Sequence, residues 1–216
     1  IIKNPAVPEH SRYIKAARRR GIPVTNDAEV FLTLAPREKI IGITGTKGKT
    51  TTASLIKHVL GANAVMVGTP GSSFFDYFAL SRRPRWIVAE FSSFDLEYIT
   101  QSPHIAVITS LFSDHLNRYV SFASYIKAKM RIVRFQKRGD RAVIWRSDVA
   151  ARYLPRHFSR VAWVGNRSIA HLPRGISWRV ARPSIGLAEK AVREAGVAKK
   201  TFWEKARSFE SPPGRL

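Results

Sequence analysis

The chain has 216 residues, 44% of them hydrophobic and five of them Trp, with a net charge of +22 from 37 basic and 15 acidic side chains. That is apolar bulk enough for one ordinary domain and part of another; the absence of cysteine excludes a disulfide scaffold and any thiolate metal site, and no apolar run reaches the ~20 residues of a membrane-spanning helix. The charge would ordinarily point to a polyanion, but the basic residues are scattered, in short runs such as Arg18-Arg19-Arg20 and Arg82-Arg83-Pro84-Arg85, with no nucleic-acid-reading motif beside them, so a solvated basic surface is expected and a nucleic-acid partner is not.

The opening Ile1-Ile2-Lys3-Asn4 lacks the basic start and apolar stretch of a signal peptide, which predicts a cytoplasmic protein. A start at Ile1 rather than Met suggests that the sequence begins inside a longer chain. Ser11 to Arg20 reads as a basic helix stopped by Gly21, followed by a short strand Ile22-Pro23-Val24 and a short helix Asp27 to Leu32. The apolar strand Ile40 to Thr44 then runs into a glycine-rich loop and a helix from Thr50 to Leu60. That helix carries Ala53, Ile56, Val59 and Leu60 on one face and ends at Gly61.

Trp86 to Ala89 and Ile105 to Ile108 are continuous apolar runs, as expected of strands covered on both faces. Ser121 can cap a helix from Phe122 to Phe135, and strands are expected near Ala142 to Trp145 and Val161 to Val164. Two helices close the sequence. One ends at Gly196, and the other opens on a capping box, Thr201-Phe202-Trp203-Glu204. Ser211-Pro212-Pro213-Gly214 reads as a linker. The alternation predicts an α/β fold, doubly wound around a mostly parallel sheet.

The strongest chemical signal is Gly45-Thr46-Lys47-Gly48-Lys49-Thr50, set between a strand and a helix. Small residues let backbone N–H groups turn in on phosphate oxygens, and the helix that follows points its positive end at them. In such a P-loop Lys49 would bridge the terminal phosphates and the Thr50 hydroxyl would hold Mg²⁺. The usual spacing wants a glycine at 43, where Ile43 stands; glycines at 42 and 45 flank it instead. Glu90 follows one apolar strand and Asp114-His115 the next, and ligands of open parallel sheets sit beyond such strand ends. A carboxylate and an imidazole placed there suit Mg²⁺.

A third signal is a lysine at an unexpected place. At 100° per residue, Phe122, Tyr125, Ile126 and Val133 share a stripe with Lys129 in its middle, while Lys127 and Arg131 point away. A buried ammonium is costly unless paired or chemically changed; the other reading is a lysine that snorkels to the edge.

Together, VTNDAEVFL, ITGTKGKTTT, VGTPGSS, VAEFSSFDLE, SDHLNRY and YIKAKMRI resemble the Mur ligase family over most of the sequence. DAEVF and EFSSFDLE are most similar to its D-glutamate-adding member. The resemblance implies a first-domain tail at 1–36, a central ATP-binding domain at 37–211 and the start of a linker at 212–216. It implies a two-step ligation: ATP phosphorylates a carboxylate of UDP-N-acetylmuramoyl-L-alanine, and the amine of D-glutamate then displaces phosphate. It assigns Gly45 through Thr51 and Arg215 to the nucleotide. Thr50, Glu90, His115 and Lys129, the last as a carbamate, fall to Mg²⁺, and Lys49, His115 and Lys129 to catalysis.

Several positions depart from the family pattern. Lys47 and Thr69 stand where Asn is usual, Asn117 replaces an Asp, and the N-x-D-D segment reads Trp145-Arg146-Ser147-Asp148. An H-N-x-x-N segment is not recovered near Arg182-Pro183-Ser184. The alternatives are another Mur or folylpolyglutamate-type ligase, a basic P-loop module that binds nucleic acid, or a non-catalytic subunit that keeps the fold.

Overall fold

The computed structural model of the protein describes residues 1–5, 7–114, 117–146, 148–154, 160–165 and 178–210, with the backbone alone for 178–182. Six strands form one sheet: β1 Ile40–Thr44, β2 Ala64–Val67, β3 Trp86–Glu90, β4 Ile105–Ile108, β5 Arg141–Trp145 and β6 Val161–Val164. Their order is β2-β3-β1-β4-β5-β6 and every pairing is parallel. The α/β, parallel-sheet expectation holds.

Side chains of the central strands alternate between two buried faces. Ile40, Ile87, Ala89, Ala106, Ile108, Ala142 and Ile144 pack on one side with α2 (Asp27–Leu34), α4 (Ser93–Leu96), α5 (Phe122–Lys129) and α6 (Arg131–Arg134). Ile41, Ile43, Val88, Ile105, Val107 and Val143 pack on the other with α3 (Lys49–Leu60), α7 (Trp178–Glu194) and α8 (Lys199–Ala206). Burial on both faces is why β1, β3 and β4 read as unbroken apolar runs. Gly42 interrupts one of them because there is no room for more: a Cβ there would lie 2.6 Å from Pro103 Cγ.

From β1 the chain runs outward to β2, returns to β3 beside β1, and then continues on the other side through β4, β5 and β6. The carboxyl ends of β1, β3 and β4 therefore surround the point where the winding reverses, which is where such sheets bind ligands.

Local readings need four corrections. Ile22–Val24 is not a strand; α1 (Arg12–Arg19) is followed only by a single parallel bridge between Ile2 and Thr25. The short strand β2 was not anticipated from Ala64-Val65-Met66-Val67. The helix expected from Phe122 to Phe135 is two helices, α5 and α6, meeting at Met130. It stops at Arg134 because the Ser102 hydroxyl stands between the Arg131 carbonyl (3.2 Å) and the Phe135 N–H (2.9 Å), where a helical bond would run.

Finally, α8 begins at Lys199 with Ala198 as its cap, so Thr201 lies inside the helix and the expected capping box does not form. Val197 and Phe202, which flank that start, share one apolar cluster. A hydrophobic staple, rather than a reciprocal side-chain bond, sets where the helix opens.

Candidate active site

The loop between β1 and α3 takes its shape from glycine and from the strand end beside it. Gly45 (φ 150°) has no space for a side chain: a Cβ would fall 1.9 Å from Thr109 Oγ1. Gly48 (φ 84°) caps α3 in the left-handed region that glycine alone adopts cheaply. Residues just past β4 hold the loop backbone. Thr109 Oγ1 donates to the Lys47 carbonyl at 2.6 Å, the Thr46 N–H to the Ser110 carbonyl at 2.6 Å, and the Lys47 N–H to Ser110 Oγ at 3.2 Å. The result is a fixed turn opening on the N-terminus of α3, a geometry that favours anions.

Lys49, the first residue of α3, folds over the loop and donates to the carbonyls of Gly45 and Thr46, both at 3.2 Å. Thr50 follows, and its hydroxyl donates to Glu90 Oε2 at 2.8 Å. Glu90 ends β3, in register with Ile43 of β1, and is 6% exposed. Thr51 is buried one step further along α3.

Lys129 reaches the same loop from the opposite side. It is 2% exposed, so the snorkelling reading fails, and its Nζ donates to the Gly45 carbonyl at 2.8 Å. Two lysines thus converge on one carbonyl. Burial, and then the neighbouring Lys49 ammonium, push the Lys129 amine down to about 7, against the pull of Asp114, Asp95 and Glu90. A lysine in that range is largely neutral above neutral pH and able to act as a nucleophile.

Of the residues expected at the site, Gly45, Thr46, Lys47, Gly48, Lys49, Thr50, Thr51, Glu90 and Lys129 come together. His115 and Arg215 lie outside the described residues, as do residues 212–216, the expected linker. Sequence reasoning missed three members: Thr109, Ser110 and Tyr125. The Tyr125 hydroxyl bonds Thr46 Oγ1 at 3.0 Å, one helical turn before Lys129. Its place on the Lys129 stripe was the available signal. For Thr109 and Ser110 the signal was position, since they follow β4 directly, much as Glu90 ends β3.

The donor set fits Mg²⁺ with a nucleotide phosphate. Glu90 and Thr50 offer hard oxygens, and among the described residues no group of three His, Asp or Glu side chains is gathered that would suit a softer ion. Magnesium ordinarily takes one or two protein carboxylates and leaves its other positions to water and phosphate.

Residues 43–171 match the Mur ligase middle domain. The chain is 39% identical over 136 residues to a UDP-N-acetylmuramoylalanine–D-glutamate ligase of Caldicellulosiruptor saccharolyticus, covering 61% of this chain and 30% of that protein. To the protein of the same name from Symbiobacterium thermophilum it is 33% identical over 190 residues, covering 83% and 42%. It therefore spans less than half the length of these relatives. In fold it resembles a UDP-N-acetylmuramate:L-alanyl-gamma-D-glutamyl-meso-diaminopimelate ligase from Neisseria meningitides, with TM-score 0.70, 15% identity and coverage of 96% of this chain and 77% of that one. It also resembles a UDP-N-acetylmuramate-alanine ligase from Thermotoga maritima, with TM-score 0.61, 20% identity and coverage of 97% and 54%. The match to the middle domain covers more than half of the sequence and takes in the end of β1, the phosphate loop, Glu90 and Lys129, and the chain belongs to the Mur ligase family.

Proposed function

We propose that the chain is the ATP-binding part of a ligase that joins D-glutamate to UDP-N-acetylmuramoyl-L-alanine in peptidoglycan precursor synthesis. The observation that carries this reading is the convergence of Lys49, Thr50, Glu90 and Lys129 around the Gly45 turn, joined to two relatives named for that activity. Residues 1–36 are read as the tail of a preceding domain, 37–211 as the central domain and 212–216 as the start of a linker. No helix among the described residues is long and apolar enough to cross a membrane, and the cytoplasm is the proposed location.

In this reading the backbone of Gly45 to Thr51 and the Lys49 ammonium hold the ATP phosphates, with Arg215 assisting. Thr50, Glu90, His115 and a Lys129 carbamate would hold Mg²⁺, which would neutralise charge on the transferring phosphoryl group. A carboxylate oxygen of the substrate bonds to the γ-phosphorus while the bond to ADP breaks. The amine of D-glutamate then attacks the acyl carbon, phosphate leaves, and the amine gives up a proton. Lys49 stabilises charge on the phosphates, and the tight loop fixes its place. The Lys129 carbamate forms when the neutral amine attacks CO₂ and loses a proton, giving an anion where an ammonium stood.

The test uses the full-length protein. Phosphate release should require both UDP-N-acetylmuramoyl-L-alanine and D-glutamate, and Lys49→Ala should weaken ATP binding measured by calorimetry by about tenfold to a hundredfold, since charge-assisted contacts contribute roughly 1.5–3 kcal/mol. Turnover with a different amino acid in preference to D-glutamate would overturn the substrate assignment. Undiminished ATP affinity in Lys49→Ala would overturn the site.

A further inference from the structure

Away from the phosphate loop, one side chain, Arg118, joins two other parts of the molecule. Arg118 donates from Nη1 to the Pro5 carbonyl at 2.5 Å and from Nη2 to Glu97 Oε2 at 3.2 Å, and its guanidinium lies 4.0 Å from the centre of the Phe94 ring. Glu97 also accepts the Tyr119 hydroxyl on its other oxygen at 2.8 Å. Tyr119 stacks on Phe94 and meets Tyr125 edge-on with ring centres 5.4 Å apart. Tyr125 in turn bonds Thr46 of the phosphate loop. An unbroken series of contacts therefore runs from the backbone at Pro5 through Arg118, Glu97, Tyr119 and Tyr125 to Thr46.

We propose that Arg118 is a positioning residue of the nucleotide site, tying the seating of the N-terminal segment to the shape of the phosphate loop by way of Glu97, Tyr119 and Tyr125. Around the buried side chains of α2, Ala28, Phe31 and Leu32, the segment has further polar fastenings. Lys3 contacts Glu9 at 3.4 Å and the Tyr98 ring, Glu9 pairs with Arg18 and Tyr98, and Glu29 accepts from the Thr100 N–H at 2.8 Å. Polar fastenings of this kind can open and reclose at modest cost, whereas the aromatic rings beneath them pack in the stacked and edge-on arrangements that attract. A planar guanidinium held at three points suits such a link, because it fixes both partners in one orientation. The effect is mutual: a loop held in shape by phosphate favours the seated segment, and a seated segment favours the loop.

A series of contacts is only a route until coupling is measured. The inference rests on the reading of the loop as an ATP site, so the experiment separates the two. ATP affinity is measured by calorimetry with Mg²⁺ on the full-length protein for the parent, Arg118→Ala, Tyr125→Phe, the double variant and Lys49→Ala. Each of the first two should weaken ATP severalfold. The double variant should be no worse than the weaker single one, a departure from multiplicativity of roughly threefold or more, because Tyr125→Phe already cuts Thr46 off. Arg118→Lys, which keeps the ion pair but not the fork, should fall between the parent and Arg118→Ala. Effects that multiply, or an Arg118→Ala protein that melts lower yet binds ATP as the parent does, overturn the coupling and leave the site standing. If Lys49→Ala binds ATP undiminished, the reading beneath it falls instead. Should Arg118→Ala not fold, Glu97→Gln, which removes the charge and one of the two acceptor oxygens that Arg118 and Tyr119 use, replaces it under the same criteria.

Discussion

Lys129 and Lys49 both donate to the Gly45 carbonyl, and two ammonium groups on one acceptor repel each other. The repulsion is relieved if one becomes neutral, and Lys129, the buried one, is the one held near 7. A neutral amine is what CO₂ addition requires, so the position that makes this lysine costly as a cation suits it as a carbamate precursor. In the full-length protein Lys129→Ala should lose most of the proposed ligase activity, and a short carboxylate such as acetate should restore part of it by supplying the missing anion. Activity at the parent level in Lys129→Ala would rule out this role. Activity should also depend on dissolved CO₂ and rise with pH through about 7, as the amine deprotonates.

The elements show why some of this was legible in the sequence and some was not. The phosphate loop, Glu90 and Lys129 were readable because each breaks a local rule: glycines at a strand end, a carboxylate closing an apolar run, a cation on an apolar stripe. Tyr125 breaks none, since an aromatic on that stripe looks like core, and its polar end is visible only once Thr46 is placed beside it. The Ser102 hydroxyl that ends α6 comes from 29 residues before Arg131 and 33 before Phe135, beyond any window of helical periodicity. At α8 the local capping signal lost to burial of Phe202 and Ala206, both fully enclosed. Where a cap and tertiary packing agree, the sequence reads correctly. Ser121 accepts from the Ser124 N–H at 3.2 Å at the start of α5 as expected, and Ser121→Ala should cost about 1 kcal/mol in urea unfolding. Its small size follows from exposure of the cap, and a loss of several kcal/mol would mean that Ser121 does more than cap.

At the level of the whole molecule the two ends of the sheet divide the work. The carboxyl ends of β1, β3 and β4 carry the candidate site, and the opposite ends are fastened by one buried carboxylate. Asp140 accepts from Arg37 Nη1 at 2.7 Å and the Lys137 N–H at 2.6 Å, and bonds His104 Nδ1 at 2.8 Å, joining the approaches to β1, β4 and β5. Burial by itself would raise the Asp140 carboxyl, but the bonds from Arg37, Lys137 and His104 outweigh it and hold the group below the usual aspartate range. A carboxylate with a depressed folded-state value binds protons more readily when the chain is unfolded. Its contribution to stability is therefore present above the unfolded value, about 3.9, and is lost as pH falls through the lower folded one. Asp95, Asp148 and Glu189 are shifted upward, chiefly by burial, and act with the opposite sign, so the parent's acid profile alone does not isolate the fastening. A difference does. Asp140→Asn keeps the shape and removes the charge, and should cost roughly 2 kcal/mol at pH 7, the scale of hydrogen bonds to a charged group. Measured by urea unfolding at pH 7, 4 and 3, the gap between parent and variant should hold at neutral pH and close below about pH 4. A gap that stays constant to pH 3 would show that the charge of Asp140 makes no link between the strand ends.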